Sequence, residues 1–314
     1  MKYIKEIKPY NKFWGNCITN MFLSILLEKD LSYEPLIYMN DYEYVILPTG
    51  IYVDYSMEYY GYFNNIFDFK RCNFKDRENF LTEFKDVLRN NPYVTINVDL
   101  FYWDKEGVFY NKVHNPHFSF IVGFNDEENK FYAFEDNVNL DYRVKEISTS
   151  NLIQAFQSDY KDNREDYRII TFKNASVEPY VLSIDQIFLN AEKLVRHLEA
   201  LIEKSNVLNK DVVLSDISNI YRLGNECGKV PNKLKGNILL LDKMQEKGML
   251  DELIINEFIE EAERISQQWQ IVKNILFRCY SSKRTTDLDK VEKMIIEAFK
   301  KEKDLWLKFI KLHS

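Results

Sequence analysis

The stretch FWGNCITNMFLSILLEK, residues 13–29, decides how the first part of this chain folds. Its apolar residues recur every three or four positions, which is the spacing of a single helical face. This predicts an amphipathic helix packed against a core. The positions on that face are Ile18, Met21, Phe22, Ile25 and Leu26.

A single cysteine stands at the predicted start of this helix. Gly15 and Asn16 mark the boundary, and Asn16 is a favoured N-cap, so Cys17 becomes the first helical residue. The positive end of the helix stabilises a thiolate there, and the first-turn amides are donors for an oxyanion. Cys17 is therefore either a nucleophile or a small buried hydrophobic residue, which is the commoner role of a free cysteine.

Composition limits the class of protein. The 314 residues are 46% hydrophobic, enough for a full core and, at this length, for two domains. A net charge of -7 argues against a nucleic acid partner, since such proteins usually carry a basic face. There is no apolar run of about 18 residues to span a membrane and no apolar signal segment, so we expect a cytoplasmic protein.

The helix and strand signals divide the chain in two. They are mixed up to about residue 178 and only helical afterwards, where Ser183 and Gln186 have the spacing of a capping box that opens a long series of helices. We predict an α+β domain over residues 1–178 and an all-helical domain over residues 179–314.

A β-hairpin carries the second candidate residue. The runs HFSFIVGF and KFYAFED flank the polar turn NDEEN. A hairpin centred in that turn places His117 opposite Asp136, with Glu135 or Asn137 as the partner in a shifted register. The carboxylate would accept from Nδ1–H of His117 and leave Nε2 to take a proton from a thiol.

A cysteine at a helix start, followed by a histidine and an acid on later strands, resembles the papain-like cysteine enzymes. The resemblance implies a papain-like α+β domain in which Cys17 is the nucleophile, His117 the base and Asp136 the residue that orients the base. In that superfamily a glutamine six residues before the cysteine completes the oxyanion hole. Asn11 occupies that position here and offers an amide donor on a shorter stem.

Within the superfamily, the chain resembles the butirosin biosynthesis protein H N-terminal-domain proteins and the related amide-forming enzyme of closthioamide biosynthesis. The likeness covers residues 9–29 and 114–138, where GNC opens a helix and the hairpin ends in FEDN, and extends to a helical C-terminal half. It implies a cysteine-dependent acyltransferase of bacterial secondary metabolism. Such an enzyme takes an acyl group from the thioester of an acyl or peptidyl carrier protein and forms an amide, or an ester, with an acceptor such as an amine. Phosphopantetheine would belong to the carrier, and this chain would hold no cofactor.

Two other functions fit the same residues. A cysteine peptidase or amidase needs the same first step, attack of the thiolate on a carbonyl group, and differs in the second reactant, which is water and not an amine. A catalytically inactive papain-like scaffold would keep the fold and only bind a partner.

Several neighbouring residues are weaker candidates. Trp14, Tyr102 and Trp103 lie close in sequence to the predicted catalytic elements and could line a substrate groove, with core packing as the alternative. Asp99 and Asp104 could supply a carboxylate, although solvated loop acids are more common.

No metal site is predicted. His114 and His117 form an HxxH pattern, but on a strand the two side chains would point to opposite faces. His197 is expected on a helix surface or interface. The remaining cysteines form no CxxC pair and are interpreted as reduced structural thiols; they are Cys72, Cys227 and Cys279.

A partner surface is expected in the helical domain. Carrier proteins are acidic, so docking is predicted on a basic stretch such as KLVRH or AFKKEK. The helical domain could also support a homo-oligomer.

Overall fold

The computed structural model describes residues 1–72, 79–135, 142–158, 169–174, 178–204, 206–283 and 288–312. In chain order the elements are β1 (Lys2–Ile4), α1 (Cys17–Leu26), a 3-10 helix (Leu31–Tyr38), β2 (Tyr42–Leu47), β3 (Gly50–Tyr55), α2 (Met57–Ile66), β4 (Phe67–Cys72), α3 (Phe80–Asn90), β5 (Tyr93–Asp99), β6 (Pro116–Asn125), β7 (Lys130–Glu135), β8 (Arg143–Ser148), α4 (Thr149–Gln157), β9 (Ile169–Asn174), α5 (Ile184–Glu203), α6 (Lys210–Ser215), α7 (Ile217–Cys227), α8 (Val230–Glu246), α9 (Glu252–Ser282) and α10 (Leu288–Lys311).

The chain forms two compact units. The first contains Met1–Ile37 and Gly61–Tyr180, and the second contains Tyr38–Tyr60 and Val181–Ser314. The prediction of a mixed α+β region followed by a helical region is confirmed at that level. The predicted boundary at residue 178 differs from the structure in residues 38–60, which contain the β2–β3 hairpin and belong to the second unit.

A seven-stranded sheet organises the first unit. Its strand order is β4-β9-β5-β6-β7-β8, β1 also pairs with β6, and every pairing is antiparallel. The central strands β5 and β6 are rich in β-branched and aromatic residues, as expected for strands covered by helices. These two strands therefore place their polar and ionisable side chains near the middle of the sheet.

Helices pack on this sheet through aromatic side chains. Phe84 of α3 and Leu152 of α4 belong to one buried core cluster with the central strands. Phe22 of α1 lies 4.9 Å from the ring of Phe67 and 5.7 Å from that of Phe172, measured between ring centroids. Burying an aromatic side chain of this kind contributes roughly 1.5–3 kcal/mol, so α1 is firmly held.

The predicted hairpin forms, but its register differs from the prediction. Phe120 pairs with Phe134, whereas the predicted register pairs it with Ala133. A bulge lies between Ile121 and Gly123, and on the turn side of this bulge the register is shifted by one more residue. A Cβ at Gly123 would lie 2.3 Å from the carbonyl oxygen of Tyr3, so only glycine permits this approach of β1.

The second unit combines the β2–β3 hairpin with helices α5 to α10. Tyr42 and Tyr44 of β2 donate hydrogen bonds to the carboxylate of Glu302 in α10, at 2.7 and 2.6 Å. Among the described residues, no helix is both long enough and apolar enough to cross a membrane.

Candidate active site

Cys17 is the first residue of α1, as predicted. The backbone of Asn16 is extended, and its side-chain oxygen accepts from the amide of Thr19 at 2.8 Å. This N-cap satisfies one first-turn amide and fixes where the helix begins. Cys17 is a free cysteine of intermediate exposure, so its thiol lies at the positive end of α1 rather than in the core.

The loop before Cys17 is tied to the helix by a buried asparagine. Asn20 is fully buried, donates to the carbonyl oxygens of Tyr10 and Phe13, and accepts from the amide of Gly15 at 2.8 Å. Ser24, one turn later, accepts from the amide of Tyr10 at 2.8 Å. These two buried polar residues lie on the face of α1 opposite its predicted apolar stripe, and they hold the approach to the thiol in one conformation.

His117 of β6 lies beside Cys17. Its side chain is only 13% exposed, and the Cys17 thiol lies within hydrogen-bonding reach of the imidazole. Burial disfavours the charged ring, but the negative charges of Cys17 and Glu135 outweigh it. Together they raise the pKa of His117 well above its usual range. A thiol at a helix N-terminus and an imidazole with a raised pKa therefore lie side by side.

Glu135, the last residue of β7, is the carboxylate found against His117. Its Oε2 lies 3.2 Å from Nε2 of His117, although Nε2 makes no well-aligned hydrogen bond, so the contact is a charge pair. Oε1 accepts from the indole Nε1 of Trp103 at 2.7 Å and from the hydroxyl of Ser119. Glu135 was one of the shifted-register alternatives, but the observed register sets it across from Ser119, two residues from His117 on the same face of the sheet.

The imidazole nitrogen that meets the acid is not the expected one. The prediction gave Nδ1 to the acid and Nε2 to the thiol, whereas Nε2 of His117 faces Glu135. Asp136, the predicted orienting acid, lies outside the described residues.

The predicted oxyanion and groove residues lie in different environments. Asn11 is exposed, Trp14 is buried with 7% of its surface accessible, and Tyr102 is half-buried. Trp103 is fully buried and cannot line a groove, because its indole packs in the core and donates to Glu135. The proximity of Trp103 to the site was predicted correctly, but its expected exposure was wrong.

Asp99 and Asp104 are not solvated loop acids. Asp99 is fully buried, and its Oδ2 lies 2.7 Å from Nδ1 of His114 and accepts from Ser158 at 2.6 Å. Burial raises the pKa of Asp99, but these hydrogen bonds and two backbone amides outweigh it and lower that pKa. Asp104 pairs with Lys145. His114 and His117 thus face different carboxylates, and neither shares a metal-ligand arrangement with the other.

His197, which the sequence analysis also considered, lies in the second unit. Nε2 of His197, in α5, lies 2.8 Å from the carbonyl oxygen of Tyr44. A cavity of about 350 Å³ in that unit is lined by residues that include His197, Asp41 and Lys193, and by none of the site residues above. Within the described ranges, no group of three His, Cys, Asp or Glu side chains could hold a metal ion.

Sequence reasoning missed three residues that shape the site. Ser119 and Trp103 bind Glu135, and Asn20 orders the loop before Cys17. No local pattern marked Asn20, because it lies on the face of α1 opposite the predicted apolar stripe, where an exposed side chain is expected, yet it is fully buried. The contacts of Ser119 and Trp103 depend on the bulged register, which no local pattern specifies.

No protein-family model matches the chain, and no curated protein matches it significantly.

Proposed function

We propose that this protein is a cysteine-dependent acyltransferase whose first unit is papain-like. The observation that carries the proposal is the approach of the Cys17 thiol, at a helix N-terminus, to an imidazole that is itself flanked by a buried carboxylate. A nucleophile, a base and an orienting acid are the parts that covalent acyl transfer needs. The resemblance of residues 9–29 and 114–138 to amide-forming acyltransferases supports transfer over hydrolysis.

The reaction follows from the positions of these groups. His117 takes the thiol proton, and the Cys17 thiolate attacks the carbonyl carbon of a carrier-protein thioester. The C–S bond to the carrier breaks, and the carrier thiolate leaves with the proton from His117. The acyl group then remains on Cys17 as a new thioester.

The second half returns the enzyme to its starting state. An amine attacks the acyl-Cys17 carbonyl, His117 takes a proton from the attacking nitrogen, and the Cys17 thiolate leaves as the amide forms. In both halves a tetrahedral oxyanion develops beside the first turn of α1, where backbone amides point outward. One such donor is typically worth about 3–4 kcal/mol of transition-state stabilisation.

Intact-protein mass spectrometry tests this function. The full chain is incubated with an acyl thioester of a phosphopantetheine-bearing carrier protein, and we expect an added acyl mass that Cys17→Ala abolishes. Cys72→Ala is the matched control, because Cys72 is also a free cysteine of intermediate exposure, and it should acquire the same acyl mass as wild type.

The fate of the acyl group separates the alternatives. Addition of a primary amine should release the acyl group as an amide faster than water releases it as an acid. Release only as the acid, with or without amine, would indicate a hydrolase. No adduct on wild type would indicate a scaffold and overturn the proposal.

A further inference from the structure

Glu135 is held by two donors that come from different parts of the first unit. Trp103 lies in the turn after β5, and Ser119 lies in β6. Both donate to the same oxygen, Oε1, and the opposite oxygen, Oε2, is the one that lies 3.2 Å from His117. The two donors therefore fix the plane of the carboxylate.

Trp103 is itself anchored. Its carbonyl oxygen accepts from the side-chain amide of Asn151 in α4 at 3.0 Å, and its ring is completely buried in the core with that helix. Ser119 is also fully buried. Neither side chain can reach a substrate, so any effect on the reaction must pass through Glu135.

The chemistry of a buried carboxylate explains why such donors matter. An ionised carboxylate out of water is costly unless its lone pairs accept hydrogen bonds, and bonds to a charged acceptor are about twice as strong as neutral ones. Trp103 and Ser119 supply two such bonds and leave Oε2 for the ring. The charged form of Glu135 is the form that stabilises a protonated His117.

We propose that Trp103 and Ser119 are positioning residues, whose indole N–H and hydroxyl hold Oε1 of Glu135 and aim its Oε2 at the imidazole of His117. The inference rests on the proposed function, since it matters for catalysis only if His117 is the base for Cys17. Two ionisable groups lie against that imidazole, Cys17 from α1 and Glu135 from β7.

The test is a titration of His117, followed by the NMR signal of its imidazole, in Trp103→Phe and Ser119→Ala. Each variant removes one donor and keeps the bulk of the side chain. Loss of one donor should shift the titration of His117 downward by about one pH unit, since the charge that raises its pKa is less well supported. A merely structural role would change stability without moving this titration.

Trp269→Phe is the matched control. Trp269 is a fully buried tryptophan of the second unit whose indole nitrogen has no hydrogen-bond partner among the described residues. This variant also loses a buried indole N–H, and His117 should titrate as in wild type. Equal titrations in Trp103→Phe, Ser119→Ala and wild type would overturn the inference.

Acyl-adduct formation on the same samples keeps the two proposals apart. An adduct on wild type that forms at least about fivefold more slowly in Trp103→Phe at pH 7 supports both. An adduct that forms equally fast in both, with equal titrations, removes only the positioning role. If the titration of His117 shifts in the variants but wild type forms no adduct, the proposed acyltransferase function is wrong, and the positioning of Glu135 has no role in catalysis.

Discussion

Glu135 and Glu302 are two buried carboxylates, one in each unit, and their partners differ. Each accepts hydrogen bonds from two uncharged groups, Trp103 and Ser119 for the first and two tyrosine hydroxyls for the second. Only Glu135 also has an ionisable base beside it, at 3.2 Å. In the part of the chain that the structure describes, no cationic side chain forms an ion pair with Glu302.

The difference decides which group keeps a proton near neutral pH. Burial raises the pKa of Glu302 to about 7, and the hydrogen bonds from Tyr44 and Tyr42 only partly oppose it. In the first unit the proton is instead favoured on His117, whose pKa is raised. Neutral donors alone leave a buried carboxylate close to protonation, whereas a neighbouring imidazole allows the site to hold opposite charges.

Removing the imidazole should have the largest effect. His117→Gln deletes the imidazole beside the thiol, and with it the base and the positive charge that favour attack by the sulfur of Cys17. Alkylation of Cys17 by iodoacetamide at pH 6 should slow roughly tenfold or more, allowing for the greater nucleophilicity of the less acidic thiolate. An unchanged alkylation rate would show that His117 does not support the thiolate.

The buried acid of the second unit should respond in stability. Between pH 4.5 and about 7 the folded state holds a proton on Glu302 that the unfolded chain has released, so the free energy of unfolding falls as pH rises through this window. Above it the full cost is present, on the order of 3 kcal/mol. Glu302→Gln should remove this pH dependence and raise stability at pH 8 relative to pH 5, measured by urea unfolding.

Glu292→Gln is the control for that experiment. Glu292 is buried in the same helix, α10, but its Oε2 lies 2.8 Å from the amine of Lys210. Breaking this pair should lower stability at both pH values. If both variants gain the same stability at pH 8, burial of the carboxylate alone destabilises the fold, and the absence of a cation beside Glu302 does not explain its raised pKa.

The identity of the orienting acid can be decided by neighbouring substitutions. Glu135→Gln removes the charge beside the imidazole and should lower the pKa of His117 by about one unit, a tenfold change in its protonation equilibrium. Asp136→Asn changes the adjacent acid and should leave the titration within a few tenths of a unit. The reverse pattern would restore Asp136 as the partner.

The smallest effect compares two N-caps. Asn16 caps α1 and Asn209 caps α6, each accepting from the amide three residues on. Substitution of either by alanine should cost about 1 kcal/mol of stability. Only Asn16→Ala should also slow alkylation of Cys17, by about two- to fivefold, because only that helix presents a thiol. Equal alkylation rates of Cys17 in the two variants would show that the N-cap of α1 does not affect the reactivity of the thiol.

The sequence predicted the elements of the site better than their contacts. Local periodicity and capping identified α1, its N-cap Asn16 and the β6–β7 hairpin, because these depend on residues close in sequence. The bulge after Ile121 could not be read from alternation, and neither could the register beside it, which sets Glu135 across from Ser119 and next to His117 on the same face. A register error of one residue changes which side chains meet.

The placement of β2 and β3 was beyond local reasoning for a different reason. Their alternating pattern predicts a hairpin but not its partner, and Tyr42 and Tyr44 are buried against Glu302, more than 250 residues later in the chain. Long-range polar contacts of this kind leave no periodic signal. The helical region therefore contains a hairpin that the predicted boundary assigned elsewhere.

The most direct test of the central claim is the titration of the His117 imidazole, followed by its NMR signal in wild type and in Cys17→Ser. The account predicts that the pKa of His117 is well above its usual value of about 6.5 in wild type and falls in Cys17→Ser, because the negative charge of Cys17 is lost. A titration near pH 6.5 in wild type, unchanged in Cys17→Ser, would contradict the pairing of this thiol with this imidazole.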